Sequence, residues 1–345
     1  MQSRTIAVDL AKSVFQVTFA DENQRITERR RLSRPQFQRL ITQSSPSRIV
    51  MEGCASAHHW GRLAIAHGHE PKLLHAKYVA AYVRRNKTGA ADADALLRAD
   101  GDDTLVPIAV KSVDQQALQS LHAIRAQWRG TLTGQINQAK ALLAEFGLIV
   151  PRGSHTLGQR LHHAMLDLPD LLQPAFTELI FEINQLTQRI DKIDQQIKTI
   201  TQTNAEAKRL TTIAGVGPLI ATAMVARVPD IHGFRRGRSF ASWLGITPRE
   251  FSSGSKRRLG SISLQGDVYL RTLLIHGARA ALLACRRNEK AGKPLTQLQR
   301  WALATQARVG HNKATVALAN KMARIIWAVW TRKTTFNGDD ALRFN

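Results

Sequence analysis

The sequence predicts an α/β domain first, a pair of long helices next, and a mostly α-helical region last. Three observations carry this. Strand-like apolar runs alternate with helical ones up to about residue 105, an apolar seam of heptad spacing fills 176–200, and helical periodicity returns beyond 206 with a large basic excess. The expected domains are 1–105, 106–205 and 206–345.

"RTIAVDLAKSVFQVTFA" (4–20) is expected to form two strands around a tight turn at Ala11-Lys12-Ser13, with "RITERRRLS" as a third strand. "PQFQRLITQ" then starts a short helix at Pro35, whose fixed φ and missing N–H suit a first helical position. "RIVMEGC" has the apolar run of a buried strand, "SAHHWGRLAIAHG" is helical and "PKLLHA" is again a strand, which together give a mixed sheet. "KYVAAYVRRNKTGAADADALLRAD" continues in helical segments broken near Thr88-Gly89.

Residues 112–147 are helical throughout, with Leu118, Leu121, Trp128, Leu132, Ile136 and Phe146 near one stripe. In the next helix Phe176, Leu179, Ile183, Leu186, Ile190, Ile193, Ile197 and Ile200 are spaced 3-4-3-4-3-4-3, a coiled-coil seam. A seam asks for an apolar partner without naming it: the 112–147 helix of the same chain serves, and so does a second chain. The last long helix, "HNKATVALANKMARIIWAVW", is amphipathic, and Trp327 and Trp330 are expected in its core face.

The chain has 49 Lys+Arg against 26 Asp+Glu, a net charge of +23. Residues 231–345 alone hold 21 basic and 5 acidic residues, so +16 of that excess sits there. An imbalance of this size points to a polyanionic partner, because each neutralised phosphate releases condensed counterions. Two distant cysteines, Cys54 and Cys285, exclude a disulfide framework and fit a reducing cytoplasm. The start "MQSRTIAVDL" lacks the apolar stretch of a signal peptide, and "LTTIAGVGPLIATAMVA" (210–226) is too short for a membrane span, so no membrane is expected. His58, His59, His67 and His69 have no cysteine pair and fall on different helix faces, which argues against zinc.

Three stretches could carry chemistry. Asp9 ends the apolar strand in "IAVDLAKSVF": it caps the following turn or holds a metal. Glu52 likewise ends "RIVMEGC", and a neighbouring strand would bring the two carboxylates together, an arrangement that invites Mg²⁺. Acids in "TGAADADALL" could complete the site. "IAGVGP" between helices has the form of a helix-hairpin-helix: Gly215 and Gly217 would let the backbone approach a phosphate, or they make a packed turn. Finally "FSSGSKRRLGSIS" (251–263), preceded by Arg249, surrounds Lys256, Arg257 and Arg258 with serines. It is a solvated basic loop, or one where guanidinium groups hold a phosphate beside a serine nucleophile.

"AVDLAKSVFQV", "VMEGCASAHHWGRLA", "YVRRNKTGAADADALL", "IAGVGPLIATAMVA", "FASWLGITPREFSSG" and "GHNKATVALANKMARIIW" occur here in one order along almost the whole chain. In this the sequence resembles the DEDD-type transposases of the insertion-sequence 110 family, in particular its 1111 subgroup, and related site-specific DNA invertases. The resemblance implies an N-terminal ribonuclease-H-like, Holliday-resolvase-type domain with four Mg²⁺-binding acids. Asp9 and Glu52 match the first two. The other two belong to a Lys-Thr-Asp-x-x-Asp pattern, which here runs Lys87, Thr88, Gly89, Ala90, Ala91, Asp92. Asp92 matches the last acid, and Gly89 stands where the third would be. Asp94 is expected on another helix face. A weaker metal site is implied: the chain is impaired, or three acids suffice.

By the same resemblance Ser253 is the nucleophile, with Ser252 as the alternative, and it forms a covalent phosphoserine link to DNA. Arg249, Lys256, Arg257 and Arg258 would contact nucleic acid, as would Arg84, Arg85 and Lys87 in "YVRRNK". Family members are guided by a structured non-coding RNA that pairs with target and donor DNA. They assemble as dimers that pair into tetramers, with acids and serine drawn from different protomers. A cytoplasmic, nucleoid-associated DNA recombinase is the expectation. A junction nuclease using the acids alone, or a non-catalytic nucleic-acid-binding scaffold, are the alternatives.

Overall fold

The computed structural model describes residues 5–83, 89–151 and 157–340, so the expected contacts at Arg84, Arg85 and Lys87 lie outside the described residues. The chain folds into two compact units: residues 1–116 with 228–233, and residues 117–227 with 234–345.

The first unit is a mixed sheet with helices on both faces. Strands β1 (Thr5–Asp9), β2 (Val14–Ala20) and β3 (Ile26–Ser33) form the meander. Helix α1 (Arg34–Gln43), β4 (Arg48–Glu52), α2 (Ala57–Ala66), β5 (Glu70–Leu74), α3 (Ala76–Val79) and α4 (Gly89–Asp100) follow. The sheet order is β3-β2-β1-β4-β5, with β1 antiparallel to β2 and parallel to β4. Strand alternation sends Ile6, Val8, Ile49 and Met51 to the α1–α2 side, where they meet Phe37, Ile41 and Trp60. Ala7, Ala20, Val50 and Leu74 face the other way and pack on Ala95, Leu96 and Ala99 of α4. Those alanines let the helix lie close to the sheet.

Among its described residues the second unit has helices and one β-hairpin. Helix α5 (Val113–Glu145) carries the stripe, and α6 (Leu157–Met165) leads to α7 (Gln173–Thr203). Then come α8 (Ala205–Leu210), α9 (Pro218–Arg227), α10 (Gly237–Trp243), β6 (Pro248–Glu250), β7 (Leu259–Ile262), α11 (Val268–Lys290), α12 (Gln297–Val309) and α13 (His311–Arg332). The α7 seam is buried against α5 and α6 of the same chain, through Leu132, Ala139, Leu143, Leu161 and Met165. Arg125 Nη2 donates to Asp194 Oδ2 at 3.0 Å and Gln135 Nε2 to Glu182 Oε2 at 2.7 Å, the falling register of an antiparallel pair. The described chain thus supplies its own partner for the seam.

At the ends of α7 the buried residues are Ile180 and Thr201, in place of Leu179 and Ile200. A straight helix turns 3.6 residues, so a 3.5-residue pattern drifts off the contact. Phe146, expected in the α5 stripe, is 45% exposed beyond the end of that helix, and Leu143 takes the core position. Trp330 is buried in α13, and Trp327 Nε1 donates to the Phe234 carbonyl at 2.9 Å. Helix α11 has the length and hydropathy of a membrane span. It instead buries Leu270, Leu274, Ala278 and Leu282 within the helical unit.

Candidate active site

Each unit builds one chemically distinctive cluster. In the first, β1 and β4 run parallel with Val8 opposite Met51. Asp9 and Glu52 are the next residues, so they end neighbouring strands whose backbones are about 5 Å apart. By alternation from Ala7 and Val50 both point to the α4 side. Helix α4 starts beside Asp9. A Cβ on Gly89 would lie 3.0 Å from Asp9 Oδ2 and 2.8 Å from Gln16 Cγ. Gln16 is the cross-strand partner of Asp9. Position 89 therefore faces Asp9, with hydrogen where a carboxylate stem would begin.

The acids of α4 have separate occupations. Asp94 accepts from Thr18 Oγ1 at 3.0 Å and from Arg29 Nη2 at 2.8 Å, which ties it to the meander. It does not replace the absent acid. Asp100 pairs with Lys72 Nζ at 2.9 Å. Asp92, one turn after Gly89, is half-buried and forms no salt bridge with any described residue. Among the described residues no group of three His, Cys, Asp or Glu side chains is close enough to hold a metal ion. Asp9 and Glu52 still fit Mg²⁺ by donor chemistry. That ion takes hard oxygens and is commonly held by one or two carboxylates, with water and phosphate completing its shell.

In the second unit the basic serine stretch is a β-hairpin, which periodicity alone did not reveal. Ser253 and Lys256 exchange backbone hydrogen bonds of 3.3 and 3.2 Å, leaving Gly254-Ser255 as a two-residue turn. Gly254 has φ +57°, as the first position of such a turn requires. The pairing continues with Phe251 N donating to Arg258 O at 2.8 Å and Glu250 opposite Leu259. Ser252 is bound on both sides: its Oγ donates to Glu250 Oε1 at 2.7 Å and accepts from Arg258 N at 3.1 Å. Arg257 Nε lies 3.6 Å from the same Glu250 oxygen. The Ser253 hydroxyl has no hydrogen-bond partner among the described residues. Of the two serines, Ser253 is the one whose oxygen is open to a substrate. Arg249 Nη2 donates to the Ser263 carbonyl at 3.2 Å.

Gly215, with φ +87°, lies against α11: a Cβ there would be 2.6 Å from the Gly277 carbonyl oxygen. Its glycine is demanded by packing. Gly217, just before α9, has open space around its Cα.

A buried polar network, not foreseen in the sequence, ties α5, α7, α9 and α11 together. His122 is fully buried, its Nδ1 3.1 Å from Tyr269 Oη and its Nε2 3.0 Å from Thr222 Oγ1. Burial, reinforced by Arg227 and Arg125, pushes its pKa down to about 4, so the ring is neutral. Arg227 Nη1 bonds Asp267 Oδ2 at 2.6 Å and its guanidinium covers the Tyr269 ring at 4.7 Å. Asp267 also caps α11 by accepting from Leu270 N at 2.9 Å. The network thus fixes the helix that follows the hairpin.

Comparison with known proteins gives the family. The model of the transposase IS116/IS110/IS902 family matches residues 207–293, which include the whole hairpin. A probable family 20 transposase of Pseudomonas aeruginosa is 38% identical over 341 residues, covering 97% of this chain and 99% of the relative. The transposase for insertion sequence element IS1111A of Coxiella burnetii is 36% identical, over 96% of this chain and 91% of its own. The chain belongs to the IS116/IS110/IS902 transposase family. The pilin gene-inverting protein of Moraxella bovis is also similar, at 24% identity over 79% of this chain and 81% of its own. A transposase of this family acts on DNA, which accounts for the basic excess.

Proposed function

We propose that this transposase cuts and rejoins DNA through a phosphoserine intermediate at Ser253, guided by a structured non-coding RNA. One observation carries the choice of residue: Ser252 Oγ is held by Glu250 and the Arg258 amide, while Ser253 Oγ is open at the hairpin turn. In the step, Ser253 Oγ attacks the phosphorus and loses its proton. An Oγ–P bond forms, a P–O ester bond breaks, and the departing strand leaves as a hydroxyl after taking up a proton. The ester energy is kept for rejoining when a strand hydroxyl attacks the phosphoserine. Arg249, Lys256 and Arg258 stabilise phosphate charge around this centre, and Arg257, beside Glu250, holds the hairpin that presents them.

Asp9 and Glu52 would hold Mg²⁺, and Asp92, on the same face of α4 as Gly89, would have to close on them for a third acid to serve. Bound there, the ion supplies charge neutralisation at phosphate oxygens. The N-terminal unit is proposed to be ribonuclease-H-like, supported by its mixed sheet with both acids at carboxyl strand ends. The turn at Gly217 into α9 is proposed as a backbone phosphate contact. The working form is proposed to be a homodimer that pairs into a tetramer.

The test incubates the protein with its element's flanking transcript and both DNA ends in Mg²⁺. A denaturant-stable protein–DNA adduct is expected, mapped by peptide mass spectrometry to Ser253 and absent in Ser253→Ala. A Ser253→Ala protein that still cuts, with no adduct in either protein, favours metal-dependent junction cleavage by the acids. Salt-sensitive binding of RNA and DNA without strand exchange would reduce the protein to a scaffold.

A further inference from the structure

The hairpin has two chemically different faces, both exposed, and only one carries cations without an acidic partner among the described residues. Its register places Glu250, Ser252, Arg257 and Leu259 on one face. There the charges cancel locally, with Glu250 engaging both Ser252 and Arg257. The other face carries Phe251, Ser253, Lys256 and Arg258. Among the described residues neither Lys256 nor Arg258 has an acidic partner. Phe251 is 61% exposed, and its ring lies over Gly260, where a Cβ would meet ring carbon Cε2 at 2.8 Å. Gly260 thus makes room for the ring beside β7, and most of the Phe251 surface stays open to solvent.

An exposed aromatic ring beside two uncompensated cations is the combination that holds a nucleic-acid strand: cations on the backbone, ring on a base. Protein interfaces are depleted in lysine and serine, and this face presents Lys256 and the open hydroxyl of Ser253. We propose that Phe251 stacks on the nucleobase next to the phosphate attacked by Ser253, with Lys256 and Arg258 on that backbone. This rests on the proposed phosphoserine reading and deepens it. It also divides the basic triplet: Arg257 serves the Glu250 side and holds the hairpin, and its neighbours serve the substrate.

The test uses full-length Ser253→Ala protein with guide RNA and an element-end duplex carrying 2-aminopurine singly at each base within three of the cut phosphate. Quenching is expected at one position. Phe251→Ala should remove it and weaken binding by about five- to a hundred-fold, the range of one aromatic–base stack. Phe251→Trp should keep it. Leu259→Ala, which removes the exposed apolar side chain of the opposite face, should leave it intact. Lys256→Ala and Arg258→Ala should each lower the slope of log K against log salt by about 0.9, and Arg257→Ala by less.

Quenching that survives Phe251→Ala, or is lost equally in Leu259→Ala, overturns the proposal. So does a Phe251→Ala protein that loses self-association in sedimentation while keeping its quench. An adduct at Ser253 that forms in otherwise wild-type protein while the quench ignores Phe251 removes this inference alone. Absence of the adduct with the Phe251-dependent quench intact removes the phosphoserine chemistry and leaves the stacking site standing.

Discussion

Substituting Gly89→Asp returns a carboxylate to the position that faces Asp9. The new Cβ meets Gln16 Cγ at 2.8 Å and Asp9 Oδ2 at 3.0 Å, so the half-buried Gln16 side chain must move aside. Two carboxylates about 4 Å apart repel by at most about 4 kcal/mol at an effective dielectric of about 20. Replacing a helical glycine returns about 0.5–1 kcal/mol, and an acid in the first turn about 0.3–1 kcal/mol. The net expectation without divalent ions is a loss of about 2–3 kcal/mol at neutral pH. The repulsion raises a carboxyl pKa in the folded state, so the loss is least at low pH and grows as pH climbs through that range. Added Mg²⁺ should reverse the penalty by binding the folded protein alone. The assay is urea unfolding of wild type, Gly89→Asp and the neutral isostere Gly89→Asn, with Mg²⁺ and with chelator. Gly89→Asn carries the steric cost, and its difference from Gly89→Asp isolates the charge. Equal stability of the two variants at neutral pH in chelator, unmoved by Mg²⁺, would refute the placement of position 89 against Asp9. With the placement upheld, the activity of Gly89→Asp shows whether three acids suffice.

Neutral His122 makes stability fall as pH drops from its unfolded value of about 6.5 towards its folded value of about 4, by about 3 kcal/mol in all. Chemical unfolding across that window should show the slope in wild type, reduced in His122→Gln. Gly277→Ala puts a Cβ 2.2 Å from the Gly215 carbonyl oxygen and should cost about 3 kcal/mol or more. Gly217→Ala meets nothing and should leave the melting temperature within a few degrees, so any loss of DNA binding there reports on the phosphate contact. Ile190→Ala, in the buried seam, should cost about 2–5 kcal/mol by thermal circular dichroism. A cost that depends on protein concentration would assign the seam to a contact between chains.

Much of this fold is legible in the sequence because its signals are local. Asp9 and Glu52 stand out as carboxylates ending apolar strands, and the register confirms them as neighbours. The seam in α7 is visible from spacing, but spacing cannot say which helix covers it. That takes the Arg125–Asp194 pairing, which joins residues far apart in the chain. The hairpin escaped because glycine, serine and arginine mask strand alternation there. The turn signal was present as Ser253-Gly254-Ser255, flanked by residues able to pair. His122 was illegible: one histidine in a helical stripe has no pattern, and its two partners come from α9 and α11. The difference between Ser252 and Ser253 was equally hidden, since it depends on a hydrogen bond from Ser252 to Glu250.

The interlocked polar residues around His122 also form a fulcrum. Asp194 sits in that junction, and Gln173 begins the same helix 21 residues earlier, about 32 Å away at the usual rise. A tilt of about 5° at the junction would sweep that distant end through about 3 Å, so small repacking beneath Tyr269 becomes a measurable displacement. A pair of distance probes, one near residue 173 and one on α13, would turn that leverage into a gauge of how stiffly the long arm is mounted.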